Sequence, residues 1–228
     1  MVKFPIVTVE WNICTPSVFR FLNQEYVDSF FKDGTLRLSS FVQFSKHKDE
    51  QRQDKNEGQV YFVEQTSIGT GETIENFSRY GYNAYILSSS MRYSKELADS
   101  FNCDSYIKIK DSTGFGITVA KQIPNVITAF EAPCEYRDMG ILLNDTRQPP
   151  KGIDFFKNEK GLVDIDKIAE TVAEQHPPHL PYYLKDSKFA HQSEYRFVWI
   201  TSKPIEDTLF IKVPEAIQFC EKPNKLTE

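Results

Sequence analysis

The sequence predicts an α+β domain. Short runs rich in β-branched and aromatic residues recur between Val18 and Val213, while only a few stretches carry apolar residues at helical spacing. Neither an internal repeat nor a Gly/Ser linker divides the 228 residues, so residues 1–228 are expected to form a single domain. With 40% hydrophobic and 14% aromatic residues, including 18 Phe and 11 Tyr, the chain has the material for a substantial core.

An extended start is expected over Ile6 to Trp11, and Pro16-Ser17 then precedes Val18-Phe19-Arg20-Phe21-Leu22. Gln24 to Asp33 places Tyr26, Val27, Phe30 and Phe31 at helical spacing, and Gly34 stops that helix. Thr35 to Phe41 follows as a strand carrying Ser39 and Ser40, which completes a strand, helix, strand unit. Lys46 to Gly58 is nearly all polar and reads as a solvated helix or loop.

Further strands are expected over Gln59 to Glu64 and Tyr82 to Ser88, separated by a turn region around Ile68 to Gly71. Ser94 to Phe101 reads as a short helix, Ser105 to Lys110 as a strand, and Gly116 to Val119 as a strand or a passage from strand to helix. Val126 to Tyr136 is strand-like. Leu162 to His176 has mostly helical spacing and stops at Pro177-Pro178. Tyr182 to Lys188 leads into a closing strand, Leu209 to Val213 forms a last one, and Asn144 to Gly152 is a long loop. Both Gly69-Thr70-Gly71 and Gly114-Phe115-Gly116 lack the other residues of a phosphate loop and read as turns.

A net charge of -5 argues against a generally basic surface that coats nucleic acid, but permits a local basic cleft. Cys14, Cys103, Cys134 and Cys220 are scattered without a CxxC pair, which points to neither a zinc site nor a disulfide framework and favours a reducing cytoplasm. His176 and His179 lack further ligands at suitable spacing, so no metal is expected. The N-terminus has no apolar signal region and no 18-residue apolar run occurs, so neither export nor a membrane partner is expected.

The most informative stretch runs from Lys188 to Ile200, where polar groups interrupt an otherwise buried-looking strand. Alternation along a strand puts Gln192, Glu194 and Arg196 on one side and Ser193, Tyr195 and Phe197 on the other. The polar row then faces water, a cleft or a ligand. His191 is expected on the face of Ser193. Arg196 is read equally as the salt-bridge partner of Glu194.

Arg20 on an early strand, Ser39-Ser40 at a strand end and the late Gln192-Ser193-Glu194 occur in an order similar to the Arg, Ser, Glu arrangement of ADP-ribosyltransferases. The chain also resembles, over most of its length, an uncharacterised bacterial domain family. The matching segments are Phe19-Arg20-Phe21, Gly34 to Ser40, Leu87-Ser88-Ser89, Gly114 to Ile117 and Glu194-Tyr195-Arg196. That second match carries no established activity and bears on the fold; the resemblance to ADP-ribosyltransferases implies split mixed or antiparallel β-sheets with surrounding helices, NAD in the cleft as a substrate, and transfer of ADP-ribose to a macromolecule, protein or nucleic acid. It implies a bacterial or phage toxin or effector, with an antitoxin or inhibitor protein among its partners.

Under that resemblance Glu194 would stabilise the oxocarbenium-like centre formed when the nicotinamide-ribose bond breaks, and Gln192 would orient the acceptor. Arg20 would bind the pyrophosphate, because a bidentate guanidinium suits it. Ser39 or Ser40 would hold Glu194 and part of the cofactor, Phe44 or a tyrosine such as Tyr80 or Tyr82 would stack on nicotinamide, and Arg52 would reach a phosphate. The chain departs from the usual Ser-Thr-Ser middle motif, and Ser88-Ser89-Ser90 competes with Ser39-Ser40 for that place. Arg20 is expected to point away from a core face defined by Phe19 and Phe21. An NAD glycohydrolase and a non-enzymatic protein-binding module on the same fold are the alternatives.

Overall fold

The computed structural model describes residues 16–40, 59–65, 73–79, 81–138, 141–143, 153–164, 166–167, 170, 179–205 and 207–223. The expected strand at 6–11, the polar run at 46–58, Pro149-Pro150, Phe44, Arg52 and Tyr80 lie outside them. The chain is a mixed α+β protein built on a curled antiparallel sheet.

Strand β1 (Val18–Leu22) leads through Asn23 into helix α1 (Gln24–Asp33). Gly34 ends the helix in the left-handed region at φ 74°, and its N–H donates to Phe30 O. Glycine tolerates this backbone because it lacks a Cβ. An added Cβ would also lie 2.2 Å from the Val213 carbonyl carbon. Val27 and Phe30 bury the inner face of α1, and strand β2 (Thr35–Ser40) alternates so that Leu36, Leu38 and Ser40 are buried.

Strands β3 (Gln59–Gln65), β4 (Thr73–Arg79) and β9 (Ile141–Leu143) form a separate three-stranded sheet in the order β4-β3-β9. The sequence reading assigned no strand to 73–79, because Thr-Ile-Glu-Asn-Phe-Ser-Arg carries only two large apolar residues and follows glycine-rich chain. Strand β5 (Ala84–Ser90) and strand β11 (Glu194–Thr201) lie side by side in the main sheet, with β7 (Val126–Pro133) on the far side of β11. Strand β6 (Ser105–Ile109) lies between β1 and β13 (Cys220–Glu221), and β12 (Leu209–Lys212) pairs with β2. All described pairings in this main sheet are antiparallel.

Strand β5 forks the sheet. It pairs with β2 at Tyr85 and Ile86 but with β1 at Ser90, so β1 and β2 diverge from the same neighbour. Both faces of β5 and β11 are covered. One face packs Leu87, Tyr195, Phe197 and Trp199 with Phe30, Leu36, Leu38 and Phe115. The other packs Ala84, Ile86 and Val198 under Tyr182 and Tyr183. Burying a side chain the size of Phe197 contributes about 1.5–3 kcal/mol.

Helix α2 (Lys95–Ser100) begins at Ser94, whose hydroxyl accepts the Leu97 N–H at 3.1 Å. Helix α3 (Ser112–Ala120) occupies the region where a turn at Gly114-Phe115-Gly116 and a strand or strand-to-helix passage from Gly116 were expected. Asp111 initiates it by accepting the Gly114 N–H at 2.9 Å. Its two glycines serve close packing: a Cβ on Gly114 would meet the Phe219 ring at 2.5 Å, and one on Gly116 the Phe197 ring at 3.2 Å. The helix expected from Leu162 begins later: Val163 forms an isolated bridge with Lys157, whereas Asp166, Lys167 and Glu170 are helical. Most of the remainder of that stretch lies outside the described residues.

Before β11 the chain is not one strand. Two short 3-10 segments (Leu180–Tyr182 and Ser187–Gln192) flank β10 (Leu184–Asp186), which pairs in parallel with β8 (Glu135–Arg137). Ser193 then adopts φ 44°, ψ 49°, and β11 starts at Glu194. Gln192 and His191 therefore belong to a helical turn, which corrects their expected places on strand faces. Among the described residues no helix is long and apolar enough to cross a membrane.

Candidate active site

Glu194 opens β11 with its side chain inside the protein, 5% exposed. Its cross-strand partner is Ser90, whose partner on the next strand is Phe19, and Phe19 in turn pairs with Lys108. Residues directly opposite each other share a face, so Lys108, Phe19, Ser90 and Glu194 form one row across four strands.

The carboxylate of Glu194 is held from two sides. Arg196 Nε donates to Oε1 at 2.7 Å, and the Lys185 ammonium donates to Oε2. Lys185 also donates to Gln192 Oε1 at 2.8 Å, and Arg196 Nη1 donates to Tyr182 O at 2.8 Å. The Glu194 backbone N–H donates to the Tyr136 hydroxyl at 2.6 Å. Burial pushes the Glu194 carboxyl up, but Arg196 and Lys185 outweigh it and hold the group well below the usual carboxylate range. Burial, partly offset by the Glu194 N–H, pushes the Tyr136 phenol up to about 12.

The polar row of Gln192, Glu194 and Arg196 is thus real but buried, at 4%, 5% and 1% exposure. Its members do not project from one strand. Gln192 and Glu194 converge because both bond the same ammonium. Arg196 is the salt-bridge partner of Glu194, as one reading of the sequence had it.

Arg20 stands on the face opposite Phe19 and Phe21, across from buried Ile107. The expectation that the two phenylalanines define the core face is reversed: they contact Tyr93 and Tyr106 in a half-exposed aromatic group. The Arg20 guanidinium reaches the fork, where Nη1 donates to Ser88 O at 3.2 Å and Nη2 to Arg37 O at 3.3 Å. It links β1 to both strands from which β1 diverges.

The two candidate serines separate. Ser39 pairs with Ile86 and shares the face of Glu194, whereas Ser40 pairs with Tyr85 and is buried on the other face. Two strand spacings and four residues of rise put the Cα atoms of Ser39 and Glu194 about 16 Å apart. That distance exceeds the reach of both side chains, so Ser39 does not hold Glu194. Ser88 and Ser90 lie nearer, opposite Arg196 and Glu194. The Ser90 hydroxyl shares its one hydrogen between Gln192 O and Arg92 O, each at 2.9 Å, and accepts the Arg92 N–H at 3.2 Å.

A cleft of about 770 Å³ follows the fork and is lined by Arg20, Ser39, Ser90, Lys185, Gln192 and Glu194, among others. Its charged lining among the described residues is Arg20, Arg37 and Lys185 against Glu194 alone. The cleft is positive in a protein of net charge -5. Phe19, Phe21, Tyr26, Phe30, Phe101 and Phe210 add aromatic surface. This size and mixture of apolar wall with few converging polar groups suit a small organic anion.

The sequence reading missed Lys185 and Tyr136. Lys185 had one visible signal, a lone cation after the apolar Pro181-Tyr182-Tyr183-Leu184 run. Tyr136 had none, because it reaches the site only through the β8 and β10 pairing. His179 stacks on Phe130 with centroids 5.2 Å apart. Among the described residues no group of three His, Cys, Asp or Glu is placed to hold a metal ion. Cys103, Cys134 and Cys220 are buried thiols.

Comparison with protein-family models, curated proteins and solved structures finds no match for the chain. Fold and site together define an α+β protein with a forked sheet and a cation-lined cleft around one buried carboxylate.

Proposed function

We propose that the protein is an NAD-consuming enzyme of the ADP-ribosyltransferase type, moving ADP-ribose to a macromolecular acceptor and releasing nicotinamide. One observation carries this reading. Arg20, which enters the fork from the sheet face opposite Glu194, and Glu194 both line the same positive cleft, although their strands are far apart in sequence.

The cations suit a pyrophosphate, with Arg20 and Arg37 placed at the fork. Breaking the bond from ribose C1′ to the pyridinium nitrogen sends its electron pair to that nitrogen and leaves positive charge on the sugar. Glu194 is ionised and fixed, so it supplies negative charge without reorganising. Each carboxylate oxygen has two acceptor sites, which allows a ribose hydroxyl to share Oε2 with Lys185. Ser90, in register with Glu194, takes the middle serine role in place of Ser39 and Ser40. Gln192 orients the acceptor. Protein and nucleic acid acceptors both fit a toxin or effector, an antitoxin or inhibitor protein is the partner proposed with that role, and water as acceptor gives the NAD glycohydrolase.

A second reading has its own observation. Arg20 bonds two backbone carbonyls and Glu194 bonds two cations, which is what a purely structural use of these groups requires. The protein would then be a binding module on the same fold. Incubation with NAD separates the two: the enzyme releases nicotinamide and Glu194→Gln does not, whereas a wild-type protein that neither binds nor consumes NAD leaves the binding module.

A further inference from the structure

A second, smaller pocket of about 170 Å³ opens beside the cleft and is lined by Ser90, Arg92, Tyr93, Ser94, Leu97 and His191. Ser90 and Leu97 also line the cleft, and Ser90 stands opposite Glu194 on the neighbouring strand. We propose that this pocket holds a phosphate of a single-stranded nucleic acid whose bases lie on the aromatic group around Tyr93, and that this strand is the acceptor of ADP-ribose. The acceptor role rests on the NAD reading above; the binding site does not.

Preorganised charge is the first support. Arg92 Nε donates to Ser193 Oγ at 3.0 Å, which fixes the guanidinium. Among the described residues Nη1 and Nη2 have no partner and no carboxylate pairs with the group, so four N–H donors are open to a ligand. A planar guanidinium binds a phosphate through two parallel bonds. His191 is held in a similar way. Lys188 O, 3.0 Å from Nδ1, only accepts, so Nδ1 carries a hydrogen and Nε2 has no partner among the described residues. In the imidazolium form Nε2 donates as well. Among the described residues no carboxylate lines the pocket. Glu96 and Asp99 act on the Tyr93 phenol from α2, but Glu96 bonds the Ser94 hydroxyl at 2.8 Å and has Lys95 beside it.

Aromatic surface is the second support, and it separates a nucleic acid from other phosphate carriers. Tyr93 belongs both to the pocket and to the aromatic group: its ring centroid lies 5.9 Å from that of Phe19 and 5.1 Å from that of Tyr106, and it is itself exposed. One sugar joins a phosphate to its base, so a strand gripped at Arg92 sets a base on this group. Stacking of this kind needs an unpaired base, which favours a single strand over a duplex. A phosphoserine peptide has no ring to place there. Ser90 then puts the strand next to the reacting carbon. A nucleophilic nitrogen or oxygen of the strand bonds to C1′ as the bond from C1′ to the pyridinium nitrogen breaks. The electron pair goes to that nitrogen, nicotinamide leaves, and the proton that the nucleophile carried passes to water.

The test measures binding of a fluorescein-labelled single-stranded oligonucleotide, with its duplex and a phosphoserine peptide as competitors. The wild-type protein should bind the single strand, and duplex and peptide should compete at least about tenfold less well than unlabelled single strand, since each stacked base adds affinity. Arg92→Gln alters an exposed side chain, so the fold should persist while strand binding falls about tenfold, as expected for loss of a charge-assisted contact. It should also flatten the salt dependence by about one phosphate contact, and Arg92→Lys should restore that slope. Tyr93→Leu should weaken strand binding about tenfold without changing the slope. With NAD labelled in the adenosine moiety, label should pass to the oligonucleotide, and Arg92→Gln should lower this transfer while leaving nicotinamide release without a strand unchanged. A wild-type protein that does not bind the single strand, wild-type affinity in Arg92→Gln, or a duplex or phosphoserine peptide bound as tightly as the single strand would overturn the proposal. Nicotinamide release with no label on the strand would overturn the acceptor role. Strand binding without nicotinamide release under any condition would keep the binding site and overturn the NAD reading instead.

Discussion

The ammonium of Lys185 and the carboxylate of Glu194 meet inside the protein, where each is less than a tenth exposed. They stand nine positions apart in the chain, and a 3-10 segment with a left-handed Ser193 folds that interval back on itself. The pair is part of a chain of contacts from Gln192 through Lys185 and Glu194 to Arg196 and the Tyr182 carbonyl. Removing one member of such a buried set strands the charge of its partners.

Glu194→Gln should accordingly cost stability as well as activity, by about 3–5 kcal/mol. The double variant Glu194→Gln/Lys185→Met should regain part of that loss, because it removes one of the two stranded cations, yet remain inactive toward NAD. Urea unfolding of the single and double variants checks the first point and nicotinamide release the second.

Acid should weaken the fold through this same carboxylate. Its pKa in the folded state lies below the ordinary value of 4.5, so the stabilisation is present above about pH 4.5 and is lost as pH falls further. Unfolding measured from pH 7 to pH 3 should show wild type losing its advantage over Glu194→Gln across the acid part of that range. An advantage that persists unchanged to pH 3 contradicts the ion-pair account.

Arg20→Met removes the donors to the Ser88 and Arg37 carbonyls at the fork. Leaving such groups unpaired costs about 1–3 kcal/mol where they are buried, and the cleft also loses a cation. Thermal unfolding should register the first effect and NAD affinity the second. Arg20→Lys should restore little of either, since a single ammonium cannot span two carbonyls as a planar fork does.

Gly34→Ala places a Cβ on a residue at φ 74° and against the Val213 backbone. Strain of that kind costs about 1–3 kcal/mol before the clash is added. Denaturant unfolding should show a loss at least that large. A neutral result would mean that α1 ends differently.

Local signals were legible in the sequence, and long-range meetings were not. Helix α1 and its Gly34 stop match what apolar spacing and a terminal glycine foretold, because both act within one turn of chain. The α+β class followed from the same signals. Gln192 was misplaced because alternation was extended through Ser193, whose left-handed backbone delays the strand to Glu194, two residues after Gln192. Gly114 and Gly116 looked like turn residues, although what they serve is contact with Phe219 and Phe197, which no local pattern reveals. Ser90 outranks Ser39 at the site purely through the pairing of β5 with β11. Lys185 enters the same way, from an element whose three residues carry almost no periodicity.

A crystal structure of the protein soaked with NAD tests the central claim most directly. The account predicts the pyrophosphate within hydrogen-bond distance of the Arg20 guanidinium, and the nicotinamide ribose beside Glu194 with a hydroxyl bonded to its carboxylate. NAD found elsewhere on the surface, or a cleft that stays empty at saturating NAD while Lys185 keeps its place on Glu194, would contradict it.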